Sequence, residues 1–91
     1  MEYKLSQKHE YEGKTYETIK YNIESLAGND YSDVTREYLN EGNVPLMLSY
    51  NTEVVIRLIA RSAKIPVEVL KSLPIKDYCG LVQQAVNFLN A

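Results

Sequence analysis

The stretch IARSAKIPVEVLKSLPIKDYCGLVQQAVNFL, residues 59–89, decides the fold because it holds the strongest helical pattern in the chain. Pro74 suits the first turn of a helix, where its missing N–H would have no helical partner. Asp77 then places negative charge near the positive end of the helix dipole. Six apolar residues recur after Pro74 on one helical face: Tyr78, Leu81, Val82, Ala85, Phe88 and Leu89. The pattern predicts a helix over residues 74–90 with one buried side. Because glycine is unfavourable inside a helix, Gly80 predicts that another backbone packs closely against this helix.

The composition is that of one small globular domain spanning residues 1–91. Hydrophobic residues make up 45% and charged residues 24% of the chain, which argues against disorder. The formal net charge of −2 provides no general attraction to nucleic acid or to anionic membranes. The N-terminus lacks the pattern of a secretory signal peptide, and no apolar run reaches the roughly 20 residues that span a bilayer. We therefore expect a cytoplasmic protein.

Residues 3–23 alternate between apolar and polar side chains, which predicts a β-hairpin with one face in water. Its apolar residues fall at odd positions: Tyr3, Leu5, Tyr11, Ile19, Tyr21 and Ile23. A hairpin of two strands is marginally stable by itself, so its apolar face is expected to pack on helices or on another subunit.

The loop of this hairpin fixes which residues pair across the strands. A three-residue loop, with Gly13 in the left-handed conformation, would pair odd positions with odd positions. Leu5 would then face Ile19, and Tyr3 would face Tyr21. A two-residue loop at residues 12 and 13 would pair odd positions with even ones. We expect the three-residue loop.

Three further helices are predicted between the hairpin and the last helix, over residues 30–41, 52–64 and 66–72. Asp30 has the side chain of a good N-cap. Acidic residues form an outer stripe on the first of these helices: Asp30, Asp33, Glu37 and Glu41. A narrow basic stripe on the second, otherwise apolar helix could face it: Arg57, Arg61 and Lys64. The expected fold class is α+β, an N-terminal β-hairpin followed by a mostly helical domain of about four helices.

The segment NVPLMLSY, residues 43–50, allows two interpretations. A short apolar run is typical of a buried connection or a short edge strand. As a surface segment it would meet a partner, helped by the adaptable side chain of Met47. We hypothesise that this segment joins the second helix in an apolar partner-binding groove or oligomer interface, made of seven residues: Leu46, Met47, Leu48, Tyr50, Val55, Leu58 and Ile59.

The sequence offers no combination of residues suited to catalysis. Its one histidine, His9, and its one cysteine, Cys79, have no partners at metal-ligand or nucleophile–base spacing. No phosphate-binding or hydrolase motif occurs. We expect His9 to be an ordinary strand residue and Cys79 to act as a small hydrophobic side chain. A non-enzymatic protein without a metal or cofactor is therefore predicted.

Residues 54–73 follow the order of a helix-turn-helix, which leaves a DNA-binding regulator as an alternative function. The second helix of such a motif has to present base-reading and phosphate-binding side chains. Here it offers only Glu68 and Lys71 among apolar residues. The acidic balance of the chain also opposes DNA binding.

A family resemblance extends over residues 3–42 and 54–90. Its marks are Gly13 in the hairpin sequence EGKTYETI, Asp30 at a helix start, Ile65-Pro66, Leu73-Pro74, Asp77 and the closing Phe88-Leu89. In this order they resemble the tail assembly chaperones of long-tailed bacteriophages and prophages, most closely the small Mu-like and P2-like group. Residues 43–53 depart from the family pattern.

The resemblance implies an accessory protein of the host bacterial cytoplasm that binds the tape measure protein, the long helical protein that sets tail length. The chaperone keeps this client soluble until the tail tube forms around it. Such proteins are absent from the mature virion and often self-associate, so a homo-oligomer is expected, without nucleic acid or membrane as a partner. A structural protein that completes the phage tail or head is a further alternative.

Overall fold

The computed structural model describes residues 1–42 and 52–90. An N-terminal antiparallel hairpin consists of β1 (Glu2–Tyr11) and β2 (Lys14–Lys20), and a 3₁₀ turn (Ile23–Ser25) follows it. Four helices come next within the described residues: α1 (Gly28–Asn40), α2 (Thr52–Ala63), α3 (Val67–Lys71) and α4 (Ile75–Leu89). The predicted α+β fold class is confirmed, and each predicted helix boundary lies within two residues of the observed one.

Helix α2 lies at the centre of the fold and contributes to both hydrophobic clusters. Every residue over 54–60 is buried, as expected of a helix that is apolar on most sides. One cluster joins α2 to α1 through Val34 and Tyr38. The main cluster joins other α2 side chains to the hairpin, α3 and α4, and its buried members include Leu5, Ile19, Ile56, Leu70 and Leu81.

The hairpin turn differs from the prediction. Glu12 and Gly13 both have positive φ, 49° and 83° respectively, and Tyr11 pairs with Lys14. The loop therefore has two residues, and the expected three-residue loop is wrong. Two consecutive left-handed residues give the turn a twist that matches the twist of the flanking strands, which favours this turn over the longer loop.

A bulge in β1 restores apolar pairing farther from the turn. Four residues of β1, 5–8, lie opposite a single residue of β2, so the register shifts by three residues. Next to the turn, odd positions pair with even ones, as Tyr11 does with Lys14. Because the shift is an odd number of residues, odd positions pair with odd positions beyond the bulge. Tyr3 pairs with Ile19. The predicted partners, Tyr21 for Tyr3 and Ile19 for Leu5, are therefore both wrong.

Asp77, in the first turn of α4, fixes this bulge. Its side chain is 1% exposed and accepts two hydrogen bonds from Ser6, one from the backbone N–H at 3.0 Å and one from the hydroxyl at 2.9 Å. The Ser6 N–H lies in the bulge and so finds its acceptor in α4 rather than in β2. The carboxylate also lies at the positive end of the α4 dipole. One buried side chain thus fastens the hairpin to α4.

Helix α1 begins earlier than predicted, and Asp30 is not its N-cap. Ala27 occupies the N-cap position, and the carboxylate of Asp30 accepts a hydrogen bond from the Ala27 N–H at 2.8 Å. Since alanine has no side-chain acceptor, only this half of a capping box forms. Asp33, three residues after Asp30, contacts Arg61.

Gly80 allows the hairpin to approach α4 closely. A Cβ built at this position would overlap the phenol of Tyr3, whose ring Cζ would lie only 2.8 Å away. The close contact is therefore with an aromatic side chain, whereas the sequence predicts a contact with another backbone. A glycine inside a helix is unfavourable by itself, so its presence is explained by the space that Tyr3 occupies.

We expect Gly80→Ala to destabilise the fold by about 1 kcal/mol, because displacing Tyr3 costs more packing than the gain in helix propensity returns. In a Tyr3→Ala background the same substitution should instead stabilise the fold by about 1 kcal/mol, since the overlap is gone. Urea unfolding of the four proteins measures this reversal of sign. Equal effects in both backgrounds would contradict the contact.

Asp77→Asn should lower the free energy of unfolding by about 2–3 kcal/mol, because an amide replaces one charged acceptor oxygen with a donor that faces Ser6. Ser6→Ala removes only the hydroxyl and should cost about 1 kcal/mol. Glu10→Gln, at an exposed carboxylate of β1, is the control and should stay within about 0.5 kcal/mol of the wild type. If Asp77→Asn were as mild as this control in urea unfolding, Asp77 would not fasten the hairpin.

Candidate partner-binding surface

Ion pairs join the acidic face of α1 to basic residues of α2, as the sequence predicts. Arg61 contacts Asp30 at 2.8 Å and Asp33 at 3.2 Å. Arg57 contacts Glu41, just beyond the end of α1, at 2.7 Å. The two arginines therefore hold the beginning and the end of α1 against α2, beside the apolar contacts of the smaller cluster.

These contacts shift the pKa values of the groups involved. The hydrogen bond from the Ala27 N–H, with a further contribution from Arg61, holds the pKa of Asp30 below its ordinary value of 3.8. The hydrogen bond from Arg57 lowers the pKa of Glu41 below 4.5 and raises the pKa of Arg57 itself. All three groups are thus charged at neutral pH in the folded protein, where they bind one another.

A groove of about 560 Å³ lies among α1, α2 and α3, with Val34, Ala60 and Val67 among its lining residues. Six charged side chains also line it: Glu37, Glu41, Arg57, Arg61, Glu68 and Lys71. Each of the three basic groups already forms an ion pair with a carboxylate of the described residues. Because three acidic and three basic side chains line it, this groove has no clear electrostatic preference for a ligand.

A second apolar surface runs along α4, beside the buried face of that helix. Five apolar side chains recur at alternating intervals of four and three residues, the spacing of a coiled-coil contact: Ile75, Cys79, Val82, Val86 and Leu89. We call these five residues the α4 seam. Ile75 is 81% exposed and Leu89 is 38% exposed, Cys79 is exposed, and the two valines are half-buried. Val82 and Val86 also pack against the main core, so the α4 seam is open to solvent at Ile75, Cys79 and Leu89 and partly covered between them.

The fold covers α4 on two other sides. Toward the hairpin, Gly80 receives the ring of Tyr3 and Asp77 is buried. Toward the main core, Leu81 and Ala85 are fully buried. Since successive residues of a helix lie about 100° apart, Asp77 and Gly80 point away from the α4 seam, whereas Leu81 and Ala85 lie on the face next to it. The helix is thus held by the hairpin and the core, while Ile75, Cys79 and Leu89 stay exposed.

Three of the residues predicted to bind a partner lie inside the fold. Val55 and Ile59 belong to the main core, and Leu58 belongs to the cluster between α1 and α2. The reason is the central position of α2, which neighbouring elements cover. A partner could reach these side chains only if those elements moved. The other four predicted residues lie outside the described residues: Leu46, Met47, Leu48 and Tyr50.

Sequence reasoning missed the α4 seam, although its spacing is visible in the sequence. The predicted buried face of the last helix includes Val82 and Leu89; Val82 is half-buried and Leu89 is exposed. Apolar residues occupy more than half of the circumference of α4, so one broad stripe contains both a buried face and an open one. The alternating intervals that begin at Ile75 are the signal that separates the two.

No group of three potential metal ligands occurs among residues 1–42 and 52–90. His9 Nε2 lies 2.8 Å from the hydroxyl of Ser72. Because that hydroxyl donates its proton to the Val69 carbonyl at 2.7 Å, the imidazole is the donor toward Ser72. His9 therefore links β1 to the residue that follows α3, and its described contacts are structural.

The helix pair over residues 54–73 turns at Lys64, which has a φ of 59°. Its second helix, α3, has five residues, of which Val69 and Leu70 are buried. Lys71 pairs with Glu53 of α2 at 2.7 Å. Such a short and half-buried helix presents few side chains that could read bases in a groove of DNA.

None of the described helices combines the length and the apolar character that a membrane crossing requires. The chain matches no protein-family model, no curated protein and no solved structure. A function is therefore inferred from the geometry of the α4 seam and from the residues that carry the family resemblance.

Stability should decrease in acid because the folded pKa values of Asp30 and Glu41 are depressed. A depressed carboxyl stabilises the fold fully above its unfolded pKa, and this contribution is lost as the pH falls through the lower folded pKa. We expect the loss to begin near pH 4.5 and to continue below pH 3.8. The double variant Asp30→Asn, Glu41→Gln should be less stable at pH 7 but should lose less stability between pH 6 and pH 3, as measured by urea unfolding. Parallel stability curves for the two proteins would rule out this assignment.

Proposed function

We propose that the chain is a tail assembly chaperone of a long-tailed bacteriophage or prophage. In this proposal it acts without catalysis in the host bacterial cytoplasm, binds the helical tape measure protein, keeps it soluble during tail assembly, and is not retained in the virion. The single observation that supports the proposal most is the α4 seam, an apolar stripe with coiled-coil spacing that is exposed at Ile75, Cys79 and Leu89.

The α4 seam suits a helical client in both geometry and length. Helix α4 has 15 residues and is therefore about 22 Å long. Its five seam residues cover about two heptads, so a client helix with apolar residues at matching intervals can pack against it side by side. A long helical client offers such intervals, and its exposed apolar residues would be removed from water by the contact.

The fastening of α4 also suits a docking role. Tyr3 packs against Gly80, and the carboxylate of Asp77 accepts hydrogen bonds from Ser6. Because these contacts lie behind the seam, the helix keeps its position without help from a partner. A preformed surface avoids part of the entropic cost of binding.

The experiment is co-expression of the chain with the longest helical protein encoded immediately downstream of it. We expect this protein to remain soluble and to co-purify with the chain. The double variant Ile75→Asp, Leu89→Asp places charge on the two most exposed residues of the α4 seam and should reduce the co-purified client at least tenfold, because a charge would be buried in an apolar contact.

The matched control is Gln83→Asp, Asn87→Asp, which adds the same charge on the exposed polar face of α4 and should leave client recovery unchanged. Circular dichroism and urea unfolding of both variants establish that α4 remains folded. If the client precipitates with the wild-type chain as it does alone, the proposed function is wrong. Detection of the chain in purified virions would favour a structural tail or head protein instead.

A further inference from the structure

We infer that helix α1 is a displaceable cover, and that the face of α2 beneath it accepts an acidic amphipathic helix of a partner protein. In the described fold α1 occupies this face, so the partner has to take the place of α1. Four residues make up the covered face of α2: Val54, Arg57, Leu58 and Arg61. The covered face is separate from the α4 seam, and the inference holds or fails independently of the proposed function.

Helix α1 is attached to α2 through a hydrophobic cluster of its own. Val34 and Tyr38 of α1 pack there with Val54 and Leu58 of α2, and none of these four residues belongs to the main core. The main core contains a different set of α2 residues: Val55, Ile56, Ile59 and Ala60. Because the two clusters share no side chain, α1 can separate from α2 as a cooperative unit while the main core stays closed.

The covered face combines apolar side chains with positive charge. Val54 and Leu58 lie one turn apart on α2, and Arg57 and Arg61 follow the same spacing beside them. A helix with apolar residues one turn apart and carboxylates next to them complements this face in shape and in charge. The ion pairs that now hold α1 are partly exposed, since the side chain of Arg61 is 38% exposed and that of Glu41 is 55% exposed. Pairs of this kind add little to the attachment of α1.

Helix α1 itself shows which kind of partner the covered face selects. Asp30, near the start of α1, contacts Arg61 in the last turn of α2. Glu41, just after the end of α1, contacts Arg57, one turn earlier in α2. The two helices are therefore antiparallel, with apolar contacts between two acidic ends. A partner helix of the same chemistry fits the face in the place of α1.

The contact of α1 with Arg57 is incomplete, which leaves room for a partner that binds better. The Arg57 side chain is 9% exposed, and its Nη2 lies 2.7 Å from Glu41 and 3.9 Å from Glu53. Its Nε is buried without a hydrogen-bond partner among the described residues, and a buried donor without an acceptor is unfavourable. A partner helix that places one carboxylate against both Nε and Nη2 would form the bidentate contact that Glu41 does not form.

Native-state thiol labelling tests whether α1 opens by itself. Leu58 lies beneath α1 and Leu81 lies in the main core, so Leu58→Cys and Leu81→Cys, each in the full chain with Cys79→Ser, are a matched pair. Without denaturant, we expect Leu58→Cys to react with DTNB about a hundredfold faster than Leu81→Cys, because only position 81 requires the main core to open. Val54→Cys should react as fast as Leu58→Cys, since one opening exposes both positions. Urea unfolding of the variants corrects for differences in their global stability.

The same variant tests whether the opened face accepts a helix. The probe is a synthetic peptide with the sequence of residues 28–41, which has the chemistry of the inferred partner. Helix α1 acts on its own site at an effective concentration of about 1 mM, so an open fraction of about one in a thousand corresponds to a Kd of about 1 µM for the peptide. At about 100 µM, the peptide should therefore slow the labelling of Leu58→Cys at least tenfold and leave that of Leu81→Cys unchanged.

Two control peptides separate the apolar from the charged part of the contact. A peptide with Val34→Asp should give no protection, because a charge would enter the apolar cluster. A peptide with Asp30→Asn, Asp33→Asn and Glu41→Gln should protect at least threefold less than the unchanged peptide, because Arg57 and Arg61 lose their carboxylate partners.

Three results would overturn the inference. If Leu58→Cys and Val54→Cys react no faster than Leu81→Cys, α1 opens only when the whole fold unfolds. If they react faster but the peptide gives no protection, the opened face does not accept a helix. If the labelling of Leu58→Cys slows as the concentration of the chain alone rises, α1 of a second copy occupies the face instead of a partner protein.

Discussion

The burial of α2 over most of its length is the constraint on which the rest of the structure depends. Its residues 54–60 are all buried, so neighbouring elements have to cover every side of one helix. In a chain of 91 residues, this requirement uses most of the available secondary structure. Helix α1 covers one side, and the hairpin, α3 and α4 cover the others. Over residues 54–60 the described elements leave little of α2 open to a partner, so an apolar docking surface in the described part of the chain has to lie on an outer element.

Helix α4 covers part of α2 and still has apolar residues that the described fold leaves exposed. One face buries Leu81 and Ala85 against the core, and an adjacent face receives the hairpin at Gly80. Val82 and Val86 of the α4 seam also pack against the core, whereas Ile75, Cys79 and Leu89 remain exposed. For a stable monomer alone, polar residues at Ile75 and Leu89 would serve better, since exposed apolar side chains gain nothing from folding. The fold alone gives no reason for their apolar character.

Patterns local in sequence were predictable, whereas the pairing of distant elements was not. The helix boundaries and the pairing of acidic α1 with basic α2 follow from periodicity, and the structure confirms them. The hairpin register does not follow from periodicity, because its bulge depends on Asp77, which lies 71 residues from Ser6 in the chain. Periodicity also identified α2 as apolar but could not distinguish a central helix from a partner-binding one. Only the positions of its neighbours show that Val55, Leu58 and Ile59 are covered.

The side chains of the α4 seam set the strength of any contact made there. Cys79, Val82 and Val86 are small, and the two valines are already half-buried, so little area is left to remove from water. At about 25 cal/mol per Å², the gain is comparable with the cost of association, which is at least about 4 kcal/mol.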